Sequence, residues 1–297
     1  MRFFSRSVIF QIFFLAMSGL FLVWLSRDGR LDFLLARVFY DSSTASFPLR
    51  DAPLLSVYGH TWLKNIVNAI WLTSIGLAIA SLCNAKLQAW RAPLWRFVLF
   101  ASSAALLIQQ LKAHSAHACP WALSQFGGDA TWFPLFNTTA VDELGKCWPG
   151  GHASAGYVLI AAWFATRDRH ASLARGALAG GLILGSLMGL TQMMRGAHFL
   201  THNLWTLWLV WSTCFTLDLL CRIGEILLCA KSKTTRHSST LKKKTTGNVA
   251  SAIPPVSGSD FHYGVAADGH QIKSGTSCST REQPNCAITT SNSVRNR

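Results

Sequence analysis

Long runs of apolar residues alternate with short polar connections along the first three quarters of the chain. The runs that are long enough to be considered as transmembrane helices are Val8–Ser26, Leu63–Cys83, Phe97–Leu111, Ala153–Thr166, Leu173–Met194 and Leu204–Leu220. At 1.5 Å per residue most of them approach the roughly 30 Å of a bilayer core, although the fourth is short for a full span. The first run is longer than the apolar part of a signal peptide and lacks a small-x-small cleavage site, so we interpret it as a retained helix. The pattern therefore predicts an all-α fold, a six-helix transmembrane bundle.

Residues 231–297 depart from this pattern. Ser, Thr, Lys, Gly and Asn dominate there, and apolar periodicity is almost absent. Such a segment buries too little apolar surface to offset the entropy lost on ordering. We therefore predict a membrane domain over residues 1–230 and a disordered, basic, Ser/Thr-rich cytoplasmic tail over residues 231–297.

Composition and charge agree with a membrane protein. Only 13% of the residues are charged and 50% are hydrophobic, which excludes an ordinary soluble domain. The formal net charge is +14, and half of it lies in residues 231–297. The remaining excess lies in connections between apolar runs, where membrane orientation explains it better than nucleic-acid binding does. The bilayer is thus the expected partner, and nucleic acid is not.

Basic residues are concentrated in alternate connections. With the N-terminus inside, every short inside segment is basic: Arg2 and Arg6; Lys86, Arg91 and Arg96; Arg167, Arg169 and Arg175; and the start of the tail. The positive-inside rule then places both termini in the cytoplasm, and the connections 27–62, 112–151 and 195–202 on the other side. For a bacterial inner membrane, that other side is the periplasm.

Three groups of polar residues meet at this non-cytoplasmic end. The first group is Lys112, His114, His117, Cys119 and Pro120; the second is Pro149, Gly150, Gly151 and His152; the third is Arg195, His198 and His202. Cations beside histidines, with no matching cluster of acids, are typical of an anion site. A phosphate fits well, because Lys112 supplies a point charge, Arg195 a bidentate donor, and a glycine turn before a helix exposes backbone N–H groups.

Histidine serves both as a nucleophile and as a general acid or base near neutral pH. Two histidines beside a phosphoryl group therefore indicate double displacement. The same residues offer a zinc alternative, since His198 and His202 have the i, i+4 spacing of helical zinc ligands. However, no carboxylate accompanies them, and Lys112 and Arg195 would repel a cation. We therefore expect neither a metal nor another cofactor.

In order and spacing, the three groups resemble the signature of the type 2 phosphatidic acid phosphatase (PAP2) superfamily, over about residues 60–222. The first family motif is Lys, six residues, Arg-Pro, and here Cys119 replaces the arginine between Lys112 and Pro120. The second is Pro-Ser-Gly-His, and here Gly150 replaces the serine. The third is Ser-Arg, five residues, His, three residues, Asp. In this chain Met194 replaces its serine, Arg195 matches, His202 comes one residue late, and Thr206 stands in place of the aspartate.

This resemblance implies a role for each matching residue. Lys112, Arg195 and the backbone of Gly150 and Gly151 would bind the phosphate. His202 would attack phosphorus and form a phosphohistidine, and His152 would protonate the leaving oxygen and then activate water. His198 competes with His202 for the nucleophilic role.

The departures from the motifs call for substitutes. His114 or His117 is a candidate to replace the missing arginine. Thr206, Asn203 or a loop acid such as Asp129, Asp142 or Glu143 is a candidate to orient His202 in place of the missing aspartate.

The resemblance implies a metal-independent lipid phosphatase that acts on a phosphorylated membrane lipid at the non-cytoplasmic face. One alternative is a catalytically weak or inactive protein that binds lipid phosphate, because two family residues are missing. Another is a phosphotransferase between lipids. A transporter is disfavoured, because the charged groups cluster at one end of the bundle and do not line a path through it.

Two cysteines are expected to form a disulfide. Cys119 and Cys147 lie in the non-cytoplasmic connection 112–151, where disulfides persist. The other cysteines lie in or near helices or in the tail: Cys83, Cys214, Cys221, Cys229, Cys278 and Cys286. A bridge would close a loop of about 28 residues and stabilise the fold by roughly 3–4 kcal/mol on the entropic model. The alternative is two unpaired thiols.

Overall fold

The computed structural model of the protein describes residues 6–137 and 145–250. Over these ranges the chain is helical and contains no β-strand, which confirms the predicted fold class. The helices are α1 (Arg6–Leu25), α2 (Arg30–Arg37), α3 (Leu63–Ala80), α4 (Arg91–Ala113), α5 (Gly151–Tyr157), α6 (Ala161–Thr166), α7 (Ala171–Met194) and α8 (Leu200–Ala250). The chain divides into two compact units, residues 1–221 and residues 222–297.

Four helical segments in the described part of the chain are long and apolar enough to cross a bilayer. They are Arg6–Leu25, Leu54–Ala80, Ala85–Ala113 and Ala171–Met194. Most large apolar side chains of α1 are exposed, with Phe10 67% and Trp24 63% exposed. Exposed apolar surface of this extent is unfavourable in water and favourable in the hydrocarbon core of a bilayer. The protein is therefore a membrane protein.

The second of these segments begins well before the predicted run. A π-helical stretch, Leu54–Trp62, leads directly into α3, and a 3-10 stretch, Ala85–Trp90, leads into α4. Part of the connection 27–62, treated above as a loop, also forms the short helix α2. Its apolar residues alternate with charged ones at helical spacing, so that Ala36 is buried while Arg30 and Arg37 are exposed.

The fourth predicted helix, Ala153–Thr166, is not one continuous helix. The structure has α5, a 3-10 turn at Val158–Ile160, and then α6. Val158 and Ile160 are β-branched and restrict χ1 within a helix, which favours the break at this point.

The region predicted to be a disordered tail is helical at its start. Helix α8 continues to Ala250, so the structure differs from the prediction over residues 231–250. Extending an existing helix needs no new nucleus, and this lowers the cost of helical structure even in a polar sequence. The rest of the predicted tail, residues 251–297, lies outside the described residues.

The apolar core of the first unit lies between α4, α5, α6, α7 and the first part of α8. Its most deeply buried large side chains are Phe100, Ile108, Ile160, Phe164 and Val210. Helices α5 and α7 pack against each other over most of the length of α5. Burial of this apolar cluster, contributed by helices distant in sequence, holds the helices of the bundle together.

A second cluster covers one end of the bundle. We call it the aromatic cap, defined by Phe33, Phe47, Phe126, Trp132 and Phe199. The ring of Phe33 lies 5.4 Å from that of Trp132, 6.0 Å from that of Phe126 and 5.7 Å from that of Phe199. The cap thus joins the two long connections to the start of α8.

Helices α5 and α7 approach each other at glycine. A Cβ on Gly156 would lie 2.3 Å from the backbone nitrogen of Gly185, and a Cβ on Gly185 would lie 2.2 Å from the ring of Tyr157. Gly180, five residues before Gly185 on the same helix, has open space at its Cβ position. Only part of the glycine-rich helix α7 is therefore in close backbone contact.

We expect Gly156→Ala to lower the thermal stability of the protein, because the added methyl group meets backbone that cannot move aside. An overpacked core of this kind costs about 1–3 kcal/mol or more. Gly180→Ala is the matched control, and its higher helix propensity keeps or raises stability. Thermal unfolding in detergent, followed by circular dichroism, measures both. Equal melting temperatures for the two variants would show that α5 and α7 do not pack backbone to backbone.

Candidate functional site

The turn at Gly150 packs against the beginning of α8. Gly150 N–H donates to the carbonyl oxygen of His202 at 3.2 Å. A Cβ at Gly150 would lie 2.5 Å from Asn203 Oδ1, so a larger residue here would require the Asn203 side chain to shift. Because α5 begins at the next residue, this contact holds His152 near the start of α8.

Thr206, one helical turn after His202, stabilises the contact between Gly150 and His202. Its hydroxyl oxygen lies 2.8 Å from the carbonyl oxygen of His202 and 3.2 Å from that of Gly150, so the hydroxyl can donate to either. These contacts are with the backbone, not with the imidazole of His202. Thr206 therefore ties the turn to α8 and does not take the place of an orienting carboxylate on the ring.

Lys112 lies over the glycine turn. A Cβ on Gly151 would lie 3.2 Å from Lys112 Cδ, so the missing side chain leaves room for the lysine. The ammonium of Lys112 donates to the carbonyl oxygen of Lys146 at 2.7 Å. The structure thus brings the first and second groups of the sequence analysis together.

The two histidines of the third group are buried next to each other. His198 is 5% exposed and His202 is 6% exposed, and their ring centroids are 5.9 Å apart. His198 also lies within electrostatic range of Lys112 and His152. Burial, together with these neighbouring groups, holds the pKa of His198 well below its usual value. A neutral imidazole keeps a lone pair available for attack or proton transfer.

His202 differs from His198 in what surrounds its ring. Its Nδ1 atom is buried and has no hydrogen-bond partner among the described residues. The ring forms part of the wall of a small cavity at the site end. The described residues around this cavity include His117, Leu123, Trp132, Phe133, Phe199 and His202.

A disulfide joins Cys119 and Cys147, with an S–S distance of 2.10 Å and a Cα–Cα distance of 5.1 Å. The sulfur of Cys147 lies 2.8 Å from the carbonyl oxygen of Ala197 and 3.5 Å from Nδ1 of His198. The bridge therefore links the two ends of the connection 112–151 and also contacts the segment that holds His198.

The remaining candidate residues, Arg195, His114 and His117, bond to backbone or side-chain oxygens outside the contact between the glycine turn and α8. The guanidinium of Arg195 donates to the carbonyl oxygen of Arg50 at 2.7 Å and to Gln192 Oε1 at 3.4 Å. His114 is exposed, and its Nδ1 lies 2.9 Å from the carbonyl oxygen of Gln110. His117 Nε2 lies 3.1 Å from the carbonyl oxygen of Leu135, and burial lowers the pKa of His117. Of the two substitutes proposed for the missing arginine, only His117 borders the cavity.

One cluster in the described residues has the donor types of a metal site. Donor atoms of Cys147, His198 and His202 lie within 4.8 Å of one another. Zinc is bound by a cysteine thiolate, whereas the sulfur of Cys147 is already bonded to that of Cys119. The oxidised chain therefore does not offer the thiolate that this cluster would need.

The sequence analysis missed Asp32. Its carboxylate accepts hydrogen bonds from the backbone N–H of Thr201, at 3.0 Å, and from the Thr201 hydroxyl. Of the loop acids considered above, Asp142 and Glu143 lie outside the described residues. The sequence feature that could have identified Asp32 is its place as an acid within the short amphipathic stretch 30–37. Nothing in the sequence indicates that this stretch packs on residue 201.

Comparison with known families agrees with this geometry. A family model described as the PAP2 superfamily matches residues 93–220, a range that contains all three groups of site residues. No curated protein and no solved structure matches the chain. The site geometry and the family match lead to one conclusion: residues 93–220 form a domain of the PAP2 superfamily.

Proposed function

We propose that the protein is a metal-independent membrane phosphatase that removes the terminal phosphate from a phosphorylated lipid. The observation that carries this proposal is the convergence of Lys112, the Gly150–Gly151 turn and the buried pair His198 and His202 at one end of a membrane bundle. A cation, backbone donors and neutral imidazoles together match the needs of phosphoryl transfer.

The phosphate would bind between Lys112 and the glycine turn. Among the described residues, Lys112 Nζ donates to one carbonyl oxygen, so two of its three protons remain for a phosphate. Arg195 would add a bidentate contact after its guanidinium leaves the carbonyl of Arg50. In this scheme the hydrogen bond that Arg195 loses to Arg50 is replaced by a stronger, charge-assisted one to the phosphate.

Hydrolysis would proceed in two displacements. A ring nitrogen of His202 attacks phosphorus, the bond from phosphorus to the lipid oxygen breaks, and His152 gives a proton to that oxygen. His152 then takes a proton from water, whose oxygen attacks the phosphohistidine and releases inorganic phosphate and free His202. The unpartnered Nδ1 of His202 and its position on the cavity wall support this assignment.

The opposite assignment has its own support. His198 and His202 are four residues apart, which is the spacing of the family's histidine and aspartate. If His198 attacks, His202 occupies the position of the orienting aspartate, and the adjacent rings allow this. Both assignments use the same phosphate site.

The charge pattern supports an orientation with both termini in the cytoplasm and the site on the other side, the periplasm of a bacterial inner membrane. A lipid substrate is favoured because the site lies at the end of membrane helices, beside aromatic side chains such as Trp132 and Phe133. A phosphotransferase would use the same intermediate with a lipid acceptor in place of water. An inactive lipid-phosphate binder would keep the site but release no phosphate.

We expect the purified protein to release phosphate from at least one of polyprenyl pyrophosphate, phosphatidate, phosphatidylglycerol phosphate and lipid A, equally well with and without EDTA. Lys112→Ala should lower kcat/KM at least ~100-fold, because the developing charge loses a fixed donor. Lys146→Ala is the matched control: its side chain is exposed, and its carbonyl contact with Lys112 is retained. Activity that chelation abolishes and zinc restores would contradict the proposal.

We expect His152→Ala to accumulate a phosphoenzyme, because the second displacement loses its base. Peptide mapping of the ³²P label should find it on His202. Label on His198 would transfer the nucleophilic role to that residue, and an active wild-type enzyme that never labels would exclude the covalent route.

We expect the disulfide to be needed for full activity, because Cys147 contacts the segment that carries His198. The double variant Cys119→Ser, Cys147→Ser should lose about 3 kcal/mol of stability and at least ~10-fold in kcat. Cys83→Ser, which removes an exposed free thiol, is the control. Unchanged kcat in the double variant would show that the bridge does not position the site.

A further inference from the structure

A carboxylate from the first long connection reaches the start of α8. Asp32 is 4% exposed, although it lies on the short helix α2, 169 residues away from its partner Thr201. Its Oδ1 atom accepts from the backbone N–H of Thr201 at 3.0 Å, and its Oδ2 atom accepts from the Thr201 hydroxyl. Asp32 thus caps α8 from a different part of the chain.

The position of this cap matters for the site. The first N–H groups of a helix have no partner within it, and a carboxylate that accepts from them fixes the helix start. Thr201 directly precedes His202 and follows His198 by three residues. A contact at Thr201 therefore fixes the backbone of both histidines.

Packing holds α2 in the place that this contact requires. The ring of Phe33, the residue after Asp32, lies 5.7 Å from that of Phe199 and 5.4 Å from that of Trp132. Gly29, with φ of 65°, begins α2, and a Cβ there would lie 2.7 Å from the Trp132 ring. Packing within the aromatic cap thus fixes the position of Asp32 next to the start of α8.

We propose that Asp32 is a positioning residue of the hydrolytic site: its carboxylate holds the start of α8 so that His198 and His202 face Lys112 and the glycine turn. The inference rests on the function proposed above. Within the described residues, the hydrogen bonds of Asp32 go to Thr201 and not to either imidazole. Asp32 supplies from α2 an acidic anchor for the segment in which the third family motif lacks its aspartate.

The charge state of Asp32 is compatible with this role. Burial raises the pKa of Asp32 to about 6, although the hydrogen bonds from Thr201 act in the opposite direction. Near pH 7.5 the carboxylate is thus mostly ionised and accepts both bonds from Thr201.

Steady-state kinetics on the full-length protein in detergent, with the lipid that wild type hydrolyses best, tests the proposal. Asp32→Ala and Thr201→Val should each lower kcat about tenfold or more and leave KM within about threefold, because misplaced histidines slow chemistry more than binding. Thr201→Ser keeps both donors and should retain wild-type kcat. Asp28→Asn, an exposed acid of the same connection, is the matched control.

A purely structural role predicts a different result. Asp32→Ala would then lower the melting temperature and the yield of folded protein, while kcat per folded molecule stayed at the wild-type value. That outcome, or loss of kcat in Thr201→Ser equal to that in Thr201→Val, would overturn the proposal.

A measurement without substrate separates this inference from the proposed function. Diethyl pyrocarbonate modifies exposed histidines, and mass spectrometry gives the rate at each residue. Asp32→Ala should raise the rate at His198 or His202 about fivefold or more, while the rate at exposed His114 stays unchanged. If wild type hydrolyses no lipid but this change occurs, only the proposed function fails. Unchanged rates at both buried histidines would overturn the role of Asp32, whatever the activity.

Discussion

The hydrogen bond from Gly150 N–H to the carbonyl oxygen of His202 is the contact on which the site depends. It joins two segments that are more than 50 residues apart, and a side chain at Gly150 would displace Asn203 Oδ1 from the space beside the turn. Thr206 strengthens it through the same two carbonyl groups. With this contact in place, the histidines of the second and third motifs belong to one site.

Two further ties act at the same end of the bundle. The Cys119–Cys147 disulfide connects the start and the end of the connection 112–151, and its Cys147 sulfur touches the segment 197–198. Asp32, on α2, accepts a hydrogen bond from Thr201, three residues after His198. The elements that carry the site are thus tied together locally, while most large apolar side chains of α1 remain exposed.

Features with a local cause were predictable from the sequence. Apolar run length identified the helices at residues 6–25 and 171–194, and the order of the helices placed Lys112, His152 and His202 at one end. Features with a non-local cause were not predictable: the partner of Asp32 lies on α8, and Arg195 bonds to the backbone of Arg50. The helical start of the tail was missed because composition does not show that a preceding helix can extend.

The central claim is that one phosphate binds where Lys112, the glycine turn and the two buried histidines meet. A structure of the full-length protein with orthovanadate, which mimics the phosphoryl group in transfer, tests it most directly. The account predicts vanadium bonded to a ring nitrogen of His202 or His198, with Lys112 Nζ within hydrogen-bond distance of a vanadate oxygen. Vanadate bound only elsewhere on the protein, with both histidines free of it, would contradict the claim.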